Sequence, residues 1–270
     1  MFKMIGNLPL NKIKLLILLL VLCGCSSFDF FKKEQFLILK KQKNYKELSN
    51  NDYENHLKKV AEDFVSSGLV EFLTLSRKSK DYFNNLYKNI IRNNELFLKK
   101  KMVPKIFIID ENSPVYFSLP GGYFFFSSGL IKRYVKSEEL LIPILVREIV
   151  RVHKLVYKKQ FMIPSGHVTI DKVIKITRLP IGLIHELNKW SLITIRRSGY
   201  DQSSLLSWLQ IQNKNMIDFS RLYRRSWTIT REEYLLKSFT IKEGLSFNKT
   251  LFMDKNSSNK FYAFLKEVRE

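Results

Sequence analysis

The sequence predicts an α+β fold, mainly helical, with a small β-sheet or hairpin beside one central helix. Three observations carry that expectation. From about Asn51 onward, apolar residues recur at three- and four-residue intervals, the period of helices with one buried face. Three short runs between Lys105 and Ser127 are rich in β-branched and aromatic residues, and two of them flank Pro120-Gly121-Gly122. A strongly apolar helical stretch, Glu138 to His153, follows them.

The elements follow in order. Leu57, Val60, Ala61, Phe64 and Val65 mark a first helix. A second spans about Lys80 to Lys99, with Tyr82/Phe83, Leu86/Tyr87 and Ile90/Ile91 on its core side. Lys105 to Asp110 reads as a strand bounded by Pro104 and Pro114, Val115 to Ser118 as another, and Tyr123 to Ser127 as a third. The glycines of the intervening turn allow backbone angles closed to other residues. Ser137 is the expected N-cap of the central helix, with Glu138 and Glu139 favourable in its first turn and Pro143 expected to kink or loosen it. Val168 to Ile176 fits strand or helix equally well. A helix from about Gly182 to Arg197 stops at Gly199. Asp201 caps the next, which buries Leu205, Trp208 and Leu209. Thr230 and Glu233 form a capping box opening a last helix through about Phe239. The expected organisation is a leader over 1–24, a tether over 25–45, one domain over 46–247 and a polar, frayed tail over 248–270.

The leader expectation rests on Lys3, Lys12 and Lys14, then Leu15 to Leu22, a run too short to span a bilayer. It ends in Leu22-Cys23-Gly24-Cys25, which resembles a bacterial lipobox and implies lipidation of Cys25; a plain signal-anchor helix is the alternative. Cys23 and Cys25 are the only cysteines, so a lipoprotein cleaved before Cys25 has no disulfide and no thiolate metal site. The formal net charge is +21. The basic residues are scattered, which argues against a dedicated nucleic-acid arm. They suit an anionic membrane surface or an acidic partner, unless they reflect a plain compositional bias toward Lys and Asn.

The central helix carries Arg147-Glu148-Ile149-Val150-Arg151. This has the spacing of His-Glu-x-x-His, in which two imidazoles one turn apart hold zinc and the Glu is the general base. Arginine stands at both imidazole positions. A guanidinium offers donors and no lone pair, so it cannot ligate the ion. By itself the pattern reads as a solvated basic stripe of Arg147, Arg151, Lys154 and Lys158 on one helix face.

Three segments in order give the pattern a context: Ser118 to Leu130, Ser137 through Val152, and His185-Glu186-Leu187-Asn188 followed by Gly199-Tyr200-Asp201. Together they resemble the gluzincin metallopeptidases of the HtpX and CAAX-prenyl-endopeptidase type, nearest to the BepA-like periplasmic lipoproteins linked to outer-membrane quality control. The resemblance covers about residues 45 to 240. It implies a zincin-like fold, with Glu148 at the general-base position and Glu186 at the third zinc-ligand position. Arg147 and Arg151 then stand at the two His-ligand positions. Asn188 replaces an Asp, Val115 replaces an Asn, and Ser226 to Arg231 lacks the family's distal histidine.

The expected function is therefore a catalytically inactive, peptidase-like lipoprotein that binds polypeptide. Tyr123, Phe124, Phe125 and Phe126 are the candidate edge strand for strand addition. No cofactor is expected. The alternatives are an active zinc endopeptidase with displaced ligands, drawing on His153, His185 and Glu186, and a purely structural envelope lipoprotein. The expected place is the periplasmic side of the cell envelope, leaning to the outer membrane. Arg147 and Arg151 are expected to fork onto Glu186 and Glu148 in place of a metal.

Overall fold

The structure is a computed structural model that describes residues 49–98, 102–157, 166, 168–223, 225, 227–245 and 257–270. The leader, Cys25 and the tether lie outside the described residues. Residues 50–270 form one compact unit. It is a mixed α and β fold, with ten helices and a four-stranded sheet among the described residues. None of these helices is long and apolar enough to cross a membrane.

Helix α1 (Asn50–Ser66) buries Tyr53, Leu57, Val60, Ala61 and Phe64, the stripe its spacing dictates. Strand β1 (Phe72–Leu73) and helix α2 (Arg77–Arg92) follow. The Ser76 side chain caps α2 by accepting from the Ser79 N–H. This helix is shorter than expected. Asn93 and Asn94 turn their side-chain amides back onto the Asn89 and Ile90 carbonyls, both at 2.8 Å, and so compete with helix continuation.

Strands β2 (Lys105–Ile109), β3 (Tyr116–Leu119) and β4 (Tyr123–Ser127) join β1 in the order β1-β2-β4-β3. The hairpin between β3 and β4 forms as expected, with Leu119 opposite Tyr123. Gly122 takes φ +81°, and a Cβ there would stand 2.4 Å from the Val103 carbonyl oxygen, so the turn needs glycine twice over.

The expectation that Tyr123 to Phe126 form an edge is overturned. Strand β4 lies between β2, to which it is parallel, and β3, to which it is antiparallel. It is buried throughout. Phe125 meets Phe64 of α1 and Phe117 on one face. Phe124 and Phe126 meet Tyr87 and Phe83 of α2 on the other. A strand covered on both faces has no polar side to show, and its sequence is a continuous apolar run without alternation.

After α3 (Ser128–Arg133), capped by Ser127, the chain enters α4 (Glu138–Lys154). Every residue from Leu140 to Val152 is buried. Pro143 is accommodated within the helix. Ser137 is its N-cap without a side-chain cap bond, and Leu155 ends it in the left-handed region. Helix α4 rests against β3 on one side and against α6 (Ile181–Arg197) and α7 (Ser203–Lys214) on others. Between α4 and α6 the chain forms a short helix, α5 (Ile170–Thr177), which resolves the choice left open over Val168 to Ile176. The Asp201 carboxylate accepts from the Ser203 N–H at 2.8 Å at the start of α7.

Two expectations near the C-terminus are corrected. The helix expected to open at Thr230 is α9, and it runs from Trp227 to Lys242, following the short α8 (Met216–Phe219). Thr230 lies inside it and donates to the Asn213 Oδ1 at 2.9 Å instead of capping. Nor are the described residues of the tail, 257–270, frayed. Helix α10 (Asn259–Arg269) buries Phe261, Phe264, Leu265 and Val268 against α2 and α3. Glu138 accepts from the Ser258 N–H at 2.8 Å, which ties the start of α10 to the start of α4.

Candidate functional site

The arginines of α4 do not face solvent. Arg147 is 2% exposed, Arg151 7% and Glu148 0%. Buried charges must be matched, because desolvation of an isolated ion is prohibitive. Here each cation has its own carboxylate. Arg147 Nη1 lies 2.6 Å from Glu232 Oε1 of α9. Arg151 Nε lies 3.3 Å from Glu148 Oε2, one turn back on α4. Both are charge contacts whose angles fall outside hydrogen-bond geometry, since these two nitrogens have no hydrogen-bond partner.

Further polar groups fix the four charges. Ser118 of β3 donates its hydroxyl to Glu148 Oε2 at 2.7 Å, and Tyr157 donates to the Ser118 carbonyl at 3.1 Å. Arg151 Nη1 donates to the Thr177 carbonyl at 2.9 Å, where α5 ends and its dipole favours a cation. Asn188 of α6 donates to Glu232 Oε1 at 2.9 Å. Burial works against the Arg147 cation, but the charge of Glu232, with smaller contributions from Tyr116, Tyr223 and Glu148, holds its pKa well above the ordinary value. Burial and the Glu232 charge also push the Tyr223 phenol well up. The network therefore holds two cations and two anions, a balanced set with no lone pair offered by the residues at the ligand positions.

Glu148 is in the expected place on α4. Glu186 is not brought to it. Its side chain is 55% exposed and pairs with Lys189 at 2.8 Å. Helix geometry gives the reason: two residues apart means about 200° around the axis. Asn188 faces inward onto Glu232, so Glu186 points away, and the residue one turn before Asn188 on the inward face is Ile184. Glu232 takes the role expected of Glu186. Its signal was present in the sequence. It sits between Ile229 and Leu236 on the buried stripe of α9, an acid where the period demands an apolar residue.

His153 and His185 make their described contacts outside this network. His153 Nε2 lies 3.0 Å from the Tyr87 hydroxyl. His185 packs edge-on near Phe239, with its pKa lowered by burial and by Lys189. His167 lies outside the described residues. No group of three or more His, Cys, Asp or Glu side chains placed to hold a metal ion occurs among the described residues. No protein-family model matches the chain, and no curated protein matches it.

Proposed function

We propose that the chain is a catalytically silent, metallopeptidase-like lipoprotein of the bacterial envelope that binds a polypeptide partner. The observation that carries the reading is the pair of buried arginine–carboxylate contacts at the positions a zinc site would need. Arg147 with Glu232 and Arg151 with Glu148 answer charge with charge inside the fold. The order of elements supports the zincin-like part of the reading: hairpin, short helix, central helix, then a helix ending at Gly199-Tyr200-Asp201. Anchoring through Cys25, on the periplasmic side and at the outer membrane, rests on the lipobox-like leader.

Partner binding is supported by the outward face of α6. Leu183, Trp190 and Ile193 lie there at helical spacing, 36%, 38% and 39% exposed. Phe97 packs beside Trp190, and Lys154 stands 4.6 Å over the indole. A basic, aromatic surface of this kind suits an acidic or aromatic segment of a partner. A photo-crosslinking residue at position 190 of the full chain, in native membranes, is expected to capture polypeptide. Ile193→Asp in the same chain is expected to abolish that capture. Recovery of no crosslinked polypeptide at position 190 contradicts the binding role and favours a purely structural lipoprotein.

A further inference from the structure

Helix α9 is apolar on two sides. Its inward stripe, which includes Ile229 and Leu236, is buried in the core. On the outward side Trp227, Tyr234 and Ile241 stand seven residues apart, 50%, 63% and 79% exposed. Seven residues make nearly two helical turns, so the three form one ridge about 21 Å long. The short α8 lies beside it. Met216 Sδ is 3.7 Å from the Thr230 hydroxyl, and the next residue, Ile217, is 88% exposed. Single apolar residues are ordinary on a surface, but a contiguous row marks a contact. The charges around this row are one-sided. Arg225, Arg231 and Lys242 are exposed and form no ion pair among the described residues. The acids of α9 are engaged: Glu232 with Arg147, and Glu233 with Lys237 and Asn213. Asp218 of α8 is paired with Arg133. Glu243, just past the end of α9, is exposed and subtracts one charge from the three.

We propose that this ridge rests on an anionic lipid surface. The proposal rests on the membrane location in the reading above, and not on its polypeptide partner. Tryptophan and tyrosine favour the membrane–water interface, where the ring is covered and the polar edge stays hydrated. Ile217 and Ile241 then enter the boundary between headgroups and acyl chains. Arg225, Arg231 and Lys242 meet lipid phosphates, and an anionic headgroup supplies the counter-charge that the protein lacks there. The shape agrees. A docked helix needs a groove, whereas these side chains stand out from a convex surface. A second copy of the chain brings only more positive charge, +21 formally, to the same basic flank. A fluid bilayer needs no matching relief.

The experiment places a photo-crosslinking residue at position 234 of the full chain, and at position 77 as a control, where the Arg77 side chain is 95% exposed. Each chain is reconstituted into vesicles of phosphatidylglycerol with phosphatidylethanolamine, or of phosphatidylcholine. Flotation reports attachment of any kind, and mass spectrometry reports lipid adducts. Lipid adducts at 234 in the anionic vesicles, and few at 77, are expected. Arg231→Gln and Lys242→Gln are each expected to lower the yield at 234 about fivefold, the weight of one cation near an anionic surface. Phosphatidylcholine vesicles are expected to lower it further. A chain that floats without lipid adducts at 234 overturns the proposal and leaves the anchor reading in place, whereas a chain that does not float contradicts both. Equal yields at 234 and 77, or in the two kinds of vesicle, overturn it too. So does the same chain giving polypeptide rather than lipid adducts at 234 in native membranes, which assigns the ridge to a protein partner.

Discussion

Arg147→Ala lowers the unfolding free energy by about 3–5 kcal/mol, the usual loss when one partner of a buried ion pair is removed. The reason is what remains. Glu232 is 1% exposed, and with Arg147 gone its carboxylate keeps the neutral Asn188 amide, at 2.9 Å, in place of a cation. The loss reflects a stranded anion rather than a large net contribution from the pair. A second substitution separates the two. Replacing both partners together, Arg147→Met with Glu232→Leu, is expected to be close to neutral, because burying two charges offsets most of their attraction. Chemical denaturation of the single and double variants reads both numbers. A single variant within about 0.5 kcal/mol of the parent, the range of ordinary surface substitutions, places Arg147 in solvent and contradicts the buried network.

Phe264→Ala costs about 3–5 kcal/mol, the range for emptying a buried aromatic site. Phe264 is 0% exposed, with its ring 4.9 Å from Phe83 and 6.3 Å from Tyr82 on α2. The same helix is fastened by polar contacts. Glu267 accepts from the Ser79 hydroxyl and from the Ser76 N–H and hydroxyl at the start of α2. Burial works against the Glu267 carboxylate, and these donors outweigh it and lower its pKa. A depressed carboxylate contributes stability above its unfolded pKa and loses it as the pH falls through the folded value, so α10 docking weakens on acidification. Thermal unfolding of Phe264→Ala at neutral pH checks the larger effect, and an unchanged transition means that α10 is not part of the core.

Much of the fold was legible because period and turn chemistry speak locally. The stripe of α1, the glycine turn between β3 and β4, and the extent of α6 follow from residues a few positions apart. What the sequence hid is what depends on distant partners. The place of β4 inside the sheet comes from pairing with β2 across a parallel connection, although the unbroken Tyr123 to Phe126 run hinted at burial on both faces. Residues 259–269 combine Lys260, Lys266, Glu267 and Arg269 with a narrow apolar stripe, Phe261, Phe264, Leu265 and Val268, and composition masked the stripe. At the site, Arg147, Glu148 and Arg151 were readable from their spacing together with the flanking segments, and not from the spacing alone. Glu186 was misplaced because position in a motif outweighed helix phase, and Glu232 was missed because its partner lies 85 residues earlier in the chain.

The central claim is that paired arginines and carboxylates occupy the place of a metal centre. Zinc content of the purified full chain at neutral pH, measured beside an Arg147→His, Arg151→His double variant, tests it most directly. The account predicts far less than one zinc per chain in the parent and no casein cleavage. One zinc per parent chain, with casein cleavage abolished by Glu148→Gln, contradicts it.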